Sequence, residues 1–219
     1  TDVNRMGEGE TARALLEGMF LPEQRTLQSV LSKGVYKRLK TLCGELSLPI
    51  ETMSNVKPGM IMNILTILKI QQSGFIQQGV DTYFLDRARE DGRTLRFLEP
   101  LEFQIDLLVN MGAGYEDEYV SYALEDFKSS ARDLSAIVDE WRRGNGGMVE
   151  SGLESMAARF PSVYEAMILR RNDAWLPQIE GFLEDSPVEL VIAGLAHFYG
   201  PDGLLARLER LGYRVEQLD

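Results

Sequence analysis

The chain has 219 residues, 44% hydrophobic and 26% charged, which suits one large globular domain or two small ones. A formal charge of −11 and a sequence pI of 4.7 repel phosphate backbones and anionic lipid, so nucleic acid is a poor partner. The longest apolar run, MIMNILTILKI, falls short of the about 20 residues a membrane span needs, and a single cysteine, Cys43, cannot form an internal disulfide.

The opening TDVNRMGEGE reads as the tail of a strand entering a polar loop, with further residues expected upstream. GETARALLEGMF, LSKGVYKRLKTLCGEL and PGMIMNILTILKIQQ follow with apolar residues at helical spacing. The third is rich in methionine around Met60 and Met62, and reads as core, or as a surface for a partner or a second copy of the chain. GVDTYFLDRAREDG is a further helix, with Asp81 as a plausible N-cap and Gly92 just past its end. RTLRFLE then reads as a short strand, followed by helices over LEFQIDLLVNM and the stretch that opens with the acidic YEDEY, a solvated helix start.

A glycine-rich break at Gly144 to Gly147 precedes MVESGLESMAARF and a longer helix from Pro161, in which Pro177 should cause a kink or an end. VELVIAGLAH is apolar without alternation, the pattern of a strand covered on both faces. DGLLARLERLG and YRVEQL complete a strand–helix–strand unit. The expected fold is therefore α/β: a small, mixed or mostly parallel sheet with extensive helical insertions.

In such sheets ligands bind beyond the carboxyl ends of the strands. His197, the only histidine, follows the strand from Val188 to Ala193 across Gly194, which would allow a sharp turn. Pro201 would open the next helix. Glu99 ends the strand before Pro100. Each has a plain structural reading as well: a loop histidine bonded to a carbonyl, a solvated glutamate. Arg171 falls within the apolar stripe Phe160, Tyr164, Ile168, Trp175, Ile179 and Phe182, where a charge needs a carboxylate, a helix end or an anion. It reads either as half of a structural ion pair or as a catalytic group, while Arg170 should point to water. Phosphate loops, HExxH, CxxC and GxSxG motifs are absent from the sequence.

GVDTYFLDRAREDGRTLRFLEPLEFQ, RRNDAWLPQIEGFLE and VELVIAGLAHFYGPDGLLARLERLGYRVEQL together resemble the TraB/GumN family, which includes the Tiki metalloproteases. The resemblance runs from about Leu21 onward and is strongest between Gly79 and Leu218. On it, Gly194 and His197 match the second of two GxxH motifs, Glu99 the later glutamate, Arg171 and Asn172 an Arg-Asn pair, and Gly79 and Asp81 a Gly-x-Asp opening. The first GxxH and the first glutamate are not in the chain, which implies a truncated domain or a divergent member without activity.

The resemblance implies one domain over residues 1–219, truncated at its N-terminus. A helical region covers 8–75, and an α/β region covers 79–219 with a helical insertion over 101–160. It implies a metal-dependent, peptidase-like hydrolase acting on a peptide or protein. Glu99 and His197 would hold a divalent metal, Arg171 would assist, and Gly194, Asn172 and Asp81 would support. It favours an exported protein. The alternatives are a protein that holds a metal, haem or small ligand without turnover, and an interaction scaffold in export or polysaccharide production.

Overall fold

The computed structural model describes residues 9–72, 79–184 and 188–218. The opening TDVNRMGE segment and residues 8 and 73–75 of the expected helical region lie outside the described residues. The chain divides into two compact units, Thr1–Phe127 and Lys128–Asp219.

The first unit is helical. It contains α1 (Gly9–Gly18), a short turn α2 (Leu27–Val30), α3 (Lys33–Glu45), α4 (Pro58–Gln72), α5 (Val80–Glu90), α6 (Leu101–Asn110) and the first part of α7 (Glu116–Arg142). α3 starts where the Ser32 side chain accepts from the Val35 N–H, and it buries Val35, Leu39, Leu42 and Cys43 on one face. α4 begins on a proline, as a helix start tolerates. Its buried Ile61, Met62 and Leu65 are core, while Ile67 and Ile70 are exposed. Gly59 lets α4 approach the chain after α6, because a Cβ there would lie 2.4 Å from the Met111 carbonyl oxygen. Asn63, which interrupts the apolar run, donates to the Leu108 carbonyl at 3.2 Å and ties α4 to α6. Asp117, in the acidic start of α7, accepts from the Ser32 N–H at 2.8 Å, so that stretch does more than face water.

The second unit holds the rest of α7, then α8 (Gly147–Arg159) and α9 (Pro161–Tyr164). α9 runs through a π turn (Glu165–Leu169) into α10 (Arg170–Glu184). A 3-10 turn (Leu195–His197) and α11 (Leu204–Arg210) follow. α10 continues past Pro177 to Glu184 instead of ending there. α11 starts after Gly203, three residues later than Pro201. A Cβ on Gly203 would sit 2.4 Å from the carbonyl oxygens of both Phe198 and Tyr199, so the loop before α11 closes tightly on itself.

The expected α/β architecture is not what forms. Among the described residues there is no strand and no sheet, only an isolated antiparallel bridge between Phe20 and Val56. The segments at 93–99, 188–193 and 213–218 carry neither helix nor ladder. Covered strands would hide their apolar side chains, yet Val188 is 100% exposed, Leu190 70%, Leu218 89% and Phe97 41%. β-branched and aromatic runs favour a pleated, half-buried surface, but a strand exists only through a partner, and the run itself does not supply one. Among the described residues no helix is long and apolar enough to cross a membrane.

Candidate functional site

His197 closes the short turn after Gly194 and is 5% exposed. Its backbone N–H donates to the Gly194 carbonyl at 2.9 Å. Gly194 has φ −59° and ψ 139°, a conformation open to any residue. A Cβ there would rest 3.7 Å from the His197 ring, an ordinary contact, so the turn does not depend on glycine at this position.

The imidazole is set by Asn172, which is fully buried on α10. The Asn172 Nδ2 group donates to the carbonyl oxygens of His197 (3.1 Å) and Asp202 (2.9 Å). Carbonyls only accept, so these two bonds fix which end of the amide is nitrogen. The Asn172 Oδ1 then lies 2.8 Å from His197 Nδ1, and an amide oxygen only accepts. Nδ1 therefore carries the proton of the neutral ring, and Nε2 carries the lone pair. This is the tautomer a metal ligand or general base uses at Nε2. The Trp175 ring lies against the imidazole, with centroids 4.3 Å apart and planes tilted by 46°.

Arg171 joins the same cluster from the other side of Asn172 in sequence. Its guanidinium carbon lies 4.9 Å from the Trp175 ring centroid, and Nη1 donates to the Met167 carbonyl at 3.4 Å. Arg170 points outward, 71% exposed, and pairs with Glu165 at 2.7 Å. Tyr164 donates its hydroxyl to Asp202 Oδ2 at 2.8 Å. Burial, and then that hydrogen bond, push its phenol up to about 12, so it remains a donor near neutral pH.

The structure thus brings His197, Asn172, Trp175 and Arg171 together within the second unit, with Gly194 beside the ring. Glu99 belongs to the first unit. It is 7% exposed, and the Gln104 side chain of α6 donates to its Oε2. Asp81 is exposed in the first turn of α5, whose N-cap is Gly79 instead. The sequence does not single out Asp202, and it offers Trp175 only as a member of the apolar stripe, where it is indeed buried.

Among the described residues no group of three or more His, Cys, Asp or Glu side chains could hold a metal ion. A catalytic ion takes about three protein ligands, so the described residues alone do not make a complete cage. They supply one imidazole nitrogen in the form a metal requires.

A family model described as the TraB/PrgY/gumN family matches residues 1–217. No curated protein and no solved structure matches the chain.

Proposed function

Because the chain belongs to the TraB/PrgY/gumN family, we propose that it is a metal-dependent, peptidase-like hydrolase in which His197 is the nitrogen ligand of a divalent metal. The observation that carries this reading is the hydrogen bond from His197 Nδ1 to an amide that two carbonyls hold in place. A ring bonded in this way keeps one orientation and one tautomer, as ligating histidines do. Glu99 enters on the family pattern alone, as the carboxylate of that site.

A bound ion would supply Lewis acidity toward the substrate carbonyl. This chain's residues would do the rest. Asn172 holds the His197 proton on Nδ1. Trp175 restricts the ring's rotation. Arg171, seated on the same tryptophan, presents a permanent positive charge that would stabilise an oxyanion.

The test is cleavage of a quenched fluorescent peptide library, with metal content measured in parallel. Chelation should abolish cleavage, and Zn²⁺, Mn²⁺ or Co²⁺ should restore it. His197→Ala and Glu99→Ala should each lower kcat/KM by at least about 100-fold, the upper end for losing even an outer partner of a metal site. Full activity in both variants would remove the proposal. Metal uptake with no cleavage would replace it with a role in holding the ion.

A further inference from the structure

Asp202 ties the loop that follows His197 to both α9 and α10. Its backbone carbonyl is the second acceptor of the Asn172 amide, and its carboxylate accepts from the Tyr164 hydroxyl. Arg207 of α11 reaches the same place. Its side chain is 12% exposed. Nη1 lies 2.5 Å from Asp173 Oδ1, and Nη2 lies 4.0 Å from Asp202 Oδ1. Its Nε is buried and has no hydrogen-bond partner among the described residues. A guanidinium seated with one donor unmet is placed for where its two ends reach, and these are Asp202 and the neighbour of Asn172.

We propose that Tyr164 and Arg207 are positioning residues for His197. Through Asp202 they hold the carbonyl against which Asn172 is set, and so hold the imidazole in its Nδ1–H form. This rests on the reading of His197 as the nitrogen of the site, and extends it to three residues that do not touch the ring. The plain alternative is an ion-pair network that only packs α9, α10 and α11. Such a network would affect melting but would leave the ring's proton where it is. Tyr164 and Arg207 converge instead on the residue whose carbonyl orients Asn172, and the other carbonyl Asn172 holds is that of His197 itself.

The chain contains a single histidine, so every imidazole ¹⁵N resonance belongs to His197. Long-range ¹H–¹⁵N spectra of the full chain at mildly alkaline pH read the tautomer directly. The wild type should show one form, protonated at Nδ1. Tyr164→Phe and Arg207→Gln should show a mixture with the Nε2–H form resolved, and Zn²⁺ affinity should fall roughly 10- to 100-fold. Asp202→Asn keeps an acceptor for Tyr164 but loses the charge that Arg207 faces, and should fall between the wild type and Arg207→Gln. Arg207→Lys keeps the charge but not the fork, and should fall between. Tyr164→Phe removes one oxygen atom and Arg207→Lys one charge geometry, so a folded variant is at hand if Arg207→Gln melts.

An unchanged single tautomer in the folded variants overturns the proposal, as does a wild type protonated at Nε2. A tautomer that responds while Zn²⁺ affinity does not sustains the clasp and removes the metal reading. A tautomer that stays put while His197-dependent cleavage persists removes the clasp and leaves that reading standing.

Discussion

Asn172 is a fully buried amide in the middle of a helix face, and its three hydrogen bonds explain its presence there. Each buried partner left unsatisfied costs about 1–3 kcal/mol. The near-isosteric Asn172→Asp is the sharper probe than alanine. It would aim a carboxylate oxygen at two carbonyls about 3 Å away, which adds repulsion to the burial of a charge. We expect a loss of about 3–5 kcal/mol at neutral pH, the range for an uncompensated buried charge, measured by denaturant unfolding. A loss under about 1 kcal/mol would mean that the two carbonyls are not what hold the amide. The family resemblance names Asn172, while the apolar stripe draws attention one residue away, to Arg171. A regular stripe through Phe160, Tyr164 and Ile168 leads there, but the buried positions run Phe160, Val163, Ile168, Asn172, Trp175 and Ile179. The step of five from Val163 to Ile168 is the π turn. From Ile168 on, Asn172, Trp175 and Ile179 follow at helical spacing on the buried face, with Arg171 half-buried beside them. Spacing from Ile168 admits either residue, three or four positions on, so periodicity alone does not separate Arg171 from Asn172.

At the scale of elements, the helices were legible and the strands were not. α1, α3, α4, α5, α6, α8 and α11 fall on the segments whose apolar residues repeat at helical spacing, because a helix satisfies its backbone within itself. Gly92 sits at φ +63° just past α5, as the end of that helix requires. The three expected strands failed because their signal is local and their hydrogen bonds are not. α7 shows how an acidic helix start can hide a buried face. Tyr119 on it is 6% exposed, and burial, with the nearby Tyr115 and Asp126, pushes its phenol from 10.0 up to about 12. A phenol with its folded pKa above the unfolded value contributes stability that is fully present below about pH 10. That stability is lost as pH rises through about 12. Two units correspond to about 3 kcal/mol. Between pH 9 and 12 the wild type should therefore lose about 2 kcal/mol more than Tyr119→Phe in denaturant titrations, since the loss is still incomplete at pH 12. Parallel losses in the two proteins would show that Tyr119 does not carry this effect.

At the scale of the molecule, the chain's own chromophores separate its two units. The only cysteine, Cys43, is buried on α3 in the first unit. Both tryptophans, Trp141 and Trp175, lie in the second. Thiol labelling therefore reports the first core, and tryptophan fluorescence reports the second. Each unit has an apolar interior of its own: Leu39, Ile61, Leu65 and Leu124 in one, Val163, Ile168, Trp175 and Leu204 in the other. Cores of this kind unfold as separate cooperative units unless burial shared between them couples the two. α7 is the one described helix whose residues belong to both units, and a helix alone is marginal in water without packing on its faces. Melting either unit should therefore shorten α7. Under increasing urea, we expect Cys43 labelling and tryptophan fluorescence to give two midpoints, with far-UV circular dichroism falling in two steps. Substitutions should respect the same division. Asn172→Asp should move the fluorescence midpoint, because Asn172 and Trp175 share one buried cluster. Coincident curves that shift together would instead make the chain a single cooperative unit, and α7 would then transmit more than its length of helix.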